Sequence, residues 1–334
     1  MLISALVMSK IFYGCEVLNL STDQERTLRS AVVAALWGRK SSKGRNSGIL
    51  LTTFLKGHVV DPAQIPHVRR LSFLRRCMRN RPELYDLTRA IWEGRLRRRR
   101  QRGAGYVENL LFSMQRLKAD LGPGYIEFPE DDESEATMCF GFKIDGRSYT
   151  TLDTRATWDH GCRELGRRAV LASVEKERKR DGSELGFGVS INRADSIRLY
   201  HKVDARTQGI LRTIMVGGVY TNHRHNLVNE QDSALCPHCG QTETLEHLWW
   251  LCPHYAHCRQ GLRCIDHILS CAPRCVTRLG LQPLGSIFPI ETIQKMQVQI
   301  FKERFGPNPE HPSIPEVESA DSHLYASPRD FAFG

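Results

Sequence analysis

Four residues carry the clearest chemistry in this chain. Cys236, Cys239, His247 and Cys252 form C-x2-C-x7-H-x4-C within CPHCGQTETLEHLWWLC. Thiolate and imidazole are the ligands that Zn²⁺ prefers, and a structural zinc site closes four of them into a tetrahedron. The close cysteine pair ends at Gly240. A tight turn there lets backbone N–H groups face the sulfurs and stabilise their negative charge. The stretch ETLEHLWW has helical character and would carry His247 back toward that turn, with Pro253 following the last cysteine. The competing reading is four unrelated Cys and His residues in a chain that holds 11 cysteines. Spacing, glycine and proline together favour one structural Zn²⁺.

Other side chains near this cluster admit more than one role. Trp249 and Trp250 follow the histidine directly. Either could stack on an unpaired base, a contact worth about 1–3 kcal/mol, or serve as the packing centre of a small finger. His238, His254, His257, Cys258, Cys264, Cys271 and Cys275 could build a second metal site, but their spacing matches no template, and single buried thiols are the default. The segment 236–258 contains no Lys or Arg, so any phosphate contact near it falls to Arg259 or Arg263.

Charge is segregated along the chain. Residues 1–125 hold 23 Lys+Arg against 9 Asp+Glu, a balance of +14, and the remainder holds 24 against 28, a balance of −4. Thirteen arginines fall between His67 and Arg102. Arg69, Arg70, Arg75, Arg76 and Arg79 precede the run Arg97, Arg98, Arg99 and Arg100. Four consecutive arginines cover every side of a helix, which a core does not accept. Unneutralised positive charge of this density is the footprint of a phosphate-binding surface for DNA or RNA. A solvated helix face is the plainer alternative, and RLRRRRQR also suits nuclear import.

The finger resembles the C-terminal Cys-Cys-His-Cys zinc finger of reverse transcriptases from non-LTR retrotransposons. The residues that carry the resemblance are Cys236-Pro237-His238-Cys239-Gly240, Glu243 to Leu248, and Cys252-Pro253. LVMSKIFYGCEVL, followed by a helix and a Gly/Ser/Lys-rich stretch, is similar to the segment after the polymerase palm in that family. The resemblance covers about the first 90 residues and 225–260. It implies a thumb-like and connecting helical region, a structural Zn²⁺, a nucleic-acid partner, and association with the polymerase core of the same element. It does not extend to catalysis. The Asp-Asp pair Asp131-Asp132 lies in FPEDDESE, an acidic linker rather than the hydrophobic metal-binding hairpin of a palm. The endonuclease that some members carry after the finger is not carried over either, because no Pro-Asp pair follows Cys252. The chain therefore reads as a non-enzymatic back part of a larger polyprotein.

Composition sets the outer bounds. The chain has 334 residues, 41% apolar and 25% charged, enough for two compact domains with tails. No run of roughly eighteen apolar residues predicts a membrane span. MLISALVMSKIFYG lacks a basic leader and reads as a buried helix. The odd cysteine count and the metal-like spacing favour a reducing compartment, nuclear or cytoplasmic.

The elements that must position the finger are mainly helical. Ser21 to Glu25 offers a capping box before a helix that ends at Trp37-Gly38. Further helices are expected over 49–56, from Asp61-Pro62 onward, after Pro82, over 106–121 and over 154–180, with one long helix over 192–215. Gly122-Pro123-Gly124 reads as a helix stop. Phe140, Phe142 and Ile144 alternate before Asp145-Gly146 and Tyr149, the pattern of a β-hairpin. The expected organisation is a mainly α, thumb/connector-like bundle over 1–125 and a linker, hairpin and helices over 126–220. A zinc-finger region over 221–280 and a weak helix with a disordered tail over 281–334 complete it.

Overall fold

A computed structural model describes residues 20–37, 46–54, 61–97, 106–117, 122–125, 138–180, 184–188, 190–263 and 265–306. The apolar N-terminal segment, the basic loop after Trp37, Arg98 to Arg100, Asp131-Asp132, Cys264 and the chain after Gly306 lie outside the described residues.

The protein is mainly α. Helix α1 (Thr22–Trp37) starts at the expected capping box: Gln24 N–H donates to Ser21 Oγ at 3.2 Å, and Ser21 N–H donates to Gln24 Oε1 at 2.9 Å. Asn46 caps α2 (Ser47–Phe54), an apolar helix buried on almost every side. A turn at Asp61 leads into α3 (Ile65–Asn80), and the buried Asp61 carboxylate pairs with Arg29 of α1 at 2.8 Å. Helices α4 (Leu84–Arg97) and α5 (Tyr106–Leu117) pack in turn against α3.

A small antiparallel sheet follows, ordered β1-β2-β3. The hairpin of β2 (Met138–Ile144) and β3 (Arg147–Thr150) is the expected one, with Phe142 opposite Tyr149 and both turn residues at positive φ, Asp145 at 50° and Gly146 at 79°. The third strand is a departure. Gly122–Tyr125, expected only to stop a helix, forms β1 and pairs Gly122 with Gly141. A Gly-Pro-Gly segment can still offer its backbone to an edge.

Helix α6 (Arg155–Arg180) joins two hydrophobic cores. Trp158, Cys162, Leu165 and Ala169 on its first half pack with α3, α4, α5 and the hairpin. Leu171 and Val174 on its second half pack with α1, α2 and the C-terminal third of the chain. Helices α1 and α2 share a core with the finger, and α1 is also tied to the basic region by the Glu25–Arg116 pair at 2.9 Å. Apolar area decides the shared core, because α2 has no polar face to leave in water.

The long helix expected over 192–215 is broken. Helix α7 (Arg193–Ser196) ends, turns fill 197–203, and α8 (Ala205–Met215) restarts at Asp204. The Asp204 carboxylate accepts from the N–H groups of Arg206 and Thr207 at 2.9 and 3.0 Å, a cap that outweighs the continuous apolar period. Helix α9 (Asn222–Asn226) precedes the finger, and α10 (Ile265–Cys271), α11 (Arg274–Leu279) and α12 (Ile290–Phe305) follow it to complete the described chain. Helix α12 packs on α8 and on the residues that follow the finger.

Gly161, in the first half of α6, marks where the sheet meets that helix. A Cβ at this position would lie 2.5 Å from Cδ1 of the buried Tyr149 ring. Gly→Ala in a helix interior ordinarily stabilises by about 1 kcal/mol. Here the sign should reverse, with Gly161→Ala destabilising by about 1–3 kcal/mol through overpacking, read as a lower urea midpoint.

Candidate metal centre

The first two ligands sit on a closed turn. Cys236 N–H donates to Gln241 O at 2.7 Å and Gly240 N–H donates to Cys236 O at 2.9 Å. Leu235 and Thr242 form an antiparallel bridge just outside, and Glu243 N–H reaches Ala234 O at 2.8 Å. Gly240 has φ +73°, a left-handed conformation that glycine adopts without cost. This brings Cys236 and Cys239 to the same side of the turn.

The second pair sits on one turn of π-helix, His247–Leu251. Thr244 Oγ1 accepts from His247 N–H at 3.0 Å and fixes the start. Cys252 N–H donates to His247 O at 2.8 Å, across five residues rather than four. The widened turn returns Cys252 to the side of the helix that His247 occupies. Single π turns of this kind recur at functional sites.

The four donors converge. Sγ of Cys236 lies 3.8 Å from Sγ of Cys252, Sγ of Cys239 lies 4.0 Å from Sγ of Cys252, and Sγ of Cys239 lies 3.2 Å from Nε2 of His247. All four donor atoms fall within 4.8 Å of one another. An ion at ~2.3 Å from sulfur and ~2.0 Å from nitrogen in a tetrahedron spaces its ligands about 3.5 to 3.8 Å apart, close to the separations seen. The cluster can therefore hold one metal ion.

Electrostatics agree with that use. Burial, reinforced by the adjacent Cys236 and Cys239 thiols, pushes the Cys252 thiol up to about 11. Three sulfurs this close repel one another as thiolates, and a cation between them offsets that repulsion. Burial also holds the His247 imidazole below its usual range, so it stays neutral with a nitrogen lone pair to give.

Buried side chains enclose the centre, among them the two tryptophans, which the sequence leaves open to stacking or packing, and Arg259, expected to meet phosphate. Trp249 and Trp250 are buried, and their indole N–H groups donate to the carbonyls of Arg278 at 3.3 Å and Thr277 at 2.8 Å. They are packing groups at the end of α11, not a base-stacking surface. Arg259 is buried too. Its guanidinium donates to Cys252 O at 2.6 Å and Trp249 O at 3.3 Å, so it clamps the π turn and is not placed to meet phosphate. Two further contributors, Glu243 and Arg304, are given no structural role by the sequence. Glu243 is fully buried, pairs with Arg304 of α12 at 2.7 Å, and accepts from Asn222 N–H of α9 at 2.7 Å. That carboxylate ties the finger to the helix just before it and to α12, 61 residues on.

The arginine stretch divides between surface and interior. Arg76 and Arg79 are exposed on α3, with the Arg76 guanidinium 5.0 Å from the Phe73 ring centre, and Arg69 is half-buried. Arg70 is completely buried and donates to Asn109 O at 3.3 Å and Ser113 Oγ at 2.9 Å. Beside it His67, pushed down to about 3 chiefly by burial and by the Arg70 charge, shares Ser113 Oγ at 2.9 Å. Arg75 is buried against Asp153 O, at 3.0 Å from Nε. Arg70 and Arg75 therefore hold α3 to its neighbours and do not offer themselves to phosphate. Their long aliphatic stems allow such burial when carbonyls satisfy the head. Arg97 ends α4, and Arg98, Arg99 and Arg100 lie outside the described residues.

Among the described residues no helix is long and apolar enough to cross a membrane. Comparison of the chain with models of known protein families, with curated proteins and with solved structures finds no match.

The buried carboxylate gives a test of the enclosure. Removing one partner of a buried ion pair leaves the other uncompensated and costs about 3–5 kcal/mol. Glu243→Ala should lower stability by that order in chemical denaturation and weaken metal retention against a chelator. Loading the wild type with a metal ion and then stripping it with a chelator should shift tryptophan emission to the red, because Trp249 and Trp250 pack beside the centre.

Proposed function

We propose that the ion held by Cys236, Cys239, His247 and Cys252 is a structural Zn²⁺. We propose further that the chain is a nucleic-acid-binding accessory part of a retroelement reverse transcriptase. The convergence of the four donors in the C-x2-C-x7-H-x4-C spacing carries the reading. Three sulfurs and one imidazole suit a borderline-soft ion and disfavour Mg²⁺ or Ca²⁺. A fully protein-ligated tetrahedron has a structural use, since it leaves no coordination position for a substrate. The exposed Arg76 and Arg79, with the arginine run from Arg97, supply the charge that would grip a template–primer duplex or target DNA by its phosphates. In this reading the polymerase chemistry belongs to another part of the same element. Mg²⁺-dependent primer extension by this chain alone would overturn that division.

A second reading has its own support. Arg70, Arg75, Arg259, Trp249 and Trp250 are all buried, which removes five groups from the nucleic-acid surface. A zinc-stapled protein-interaction module, or a remnant of an element that has lost its nucleic-acid role, would look the same at the metal.

Binding over a salt series separates the two. Phosphate contacts release counterions, so affinity for duplex should fall steeply as salt rises. Arg76→Ala and Arg79→Ala should each flatten the slope of log K against log salt by roughly 0.7 to 0.9. Arg70→Ala should lower stability and leave the slope alone. Affinity indifferent to ionic strength would leave the interaction module standing. Elemental analysis should find Zn²⁺ in the wild type, and Cys236→Ser or His247→Ala should lose about one ion per chain.

A further inference from the structure

A second group of donors lies just beyond the finger. Cys252 is followed by a 3₁₀ helix, Pro253–Arg259, which packs on α12. Near the end of that helix His257 and Cys258 present adjacent donor atoms, and Glu303 of α12 faces both. Nε2 of His257 lies 3.3 Å from Sγ of Cys258 and 3.2 Å from Oε1 of Glu303, and Sγ of Cys258 lies 3.4 Å from the same Oε1. The three atoms make a nearly equilateral triangle. Imidazole, thiolate and carboxylate at their usual bond lengths on one tetrahedral ion would be about 3.3 to 3.6 Å apart.

We propose that His257, Cys258 and Glu303 form a second metal site, for a divalent transition-metal ion held by three protein ligands with the fourth position open to water.

Three features support it beyond the distances. Cys258 is buried, whereas the side chains of His257 and Glu303 are 51% and 33% exposed, so the triangle has one closed face and one facing solvent. The charged neighbours of Glu303 in sequence are engaged elsewhere: Lys302 donates to Thr207 Oγ1 at 3.1 Å, and Arg304 pairs with Glu243. Gln299, one turn earlier on α12, donates to Glu303 Oε1 at 3.2 Å and orients the carboxylate. Such outer partners are the usual companions of metal ligands. One nitrogen, one sulfur and one oxygen favour Zn²⁺ or Co²⁺ over the all-oxygen environments of Ca²⁺ and Mg²⁺.

The consequence is mechanical as well as chemical. An ion here would join the turn after the last finger ligand to the C-terminal helix. The two sites would be separate, since Cys252 and Cys258 belong to different donor groups.

The full chain, stripped of metal by a chelator and titrated with Co²⁺ under reducing conditions, provides the test. The wild type should take up two ions. Cys258→Ala should take up one and keep the intense thiolate-to-cobalt absorption of the three-sulfur site. Cys236→Ser should lose most of that absorption and still bind an ion through the second site. Glu303→Gln, which keeps the size and much of the hydrogen bonding of the carboxylate, should weaken the second ion at least about tenfold and serves if Cys258→Ala does not fold. A wild type that binds one ion, or an unchanged second-ion affinity in Glu303→Gln, would overturn the proposal and make the triad a hydrogen-bonded cluster only.

Discussion

Three sulfurs and an imidazole nitrogen brought within 4.8 Å of one another set the terms for the C-terminal half of this protein. As thiols they are poor hydrogen-bonding partners crowded together; as thiolates they repel unless a cation compensates. Everything nearby serves to hold that crowding in place. Gly240 closes one turn, Thr244 starts the next, Arg259 ties down the carbonyls between His247 and Cys252, and Glu243 anchors the assembly to α9 and α12. The finger is thus not a bead on a string. Its Trp249 and Trp250, together with Cys236, Leu248 and Tyr255, belong to the same core as α8, α11 and α12.

That continuity shifts where the metal's free energy would act. In a short isolated finger, binding energy is folding energy for a few dozen residues. Here the same coordination would be coupled through the shared core to α1 and α2, some two hundred residues earlier in the chain. Helix α6 is the mechanical link to the other core, since its two halves face different sets of neighbours. The exposed Arg76 and Arg79 of α3 belong with the other core, so the basic side chains and the candidate metal centre occupy different parts of the fold.

The ligand set was legible in sequence because it depends on residue type and spacing, which local geometry turns almost directly into position. The capping box at Ser21 and the Asp145-Gly146 turn were legible for the same reason. Less could be read where two local signals compete. An aspartate inside a continuous apolar period, Asp204, could have sat on a helix surface and instead starts a new helix. The Gly-Pro-Gly of β1 reads as an end, and only the partner strand makes it an edge. The arginines were the hardest. Surface and buried members carry the same charge in the same helix, and what separates Arg70 from Arg76 is a set of carbonyl and hydroxyl acceptors contributed by distant segments. Glu243 and Arg304 meet across 61 residues, and nothing in either neighbourhood announces the other.

The π turn between His247 and Cys252 has a consequence for how this region can vary. An interval bridged by a five-residue hydrogen bond works as a ruler: adding or deleting one residue would rotate the last sulfur away from the other three donors and drag two buried indoles from their carbonyl partners. The stretch between Gly240 and Thr244 is constrained in its own way: Gln241 O accepts from Cys236 N–H, Thr242 bridges Leu235, and Glu243 pairs with Arg304. Length is therefore fixed on both sides of the histidine, by the paired turn before it and by the five-residue bond after it.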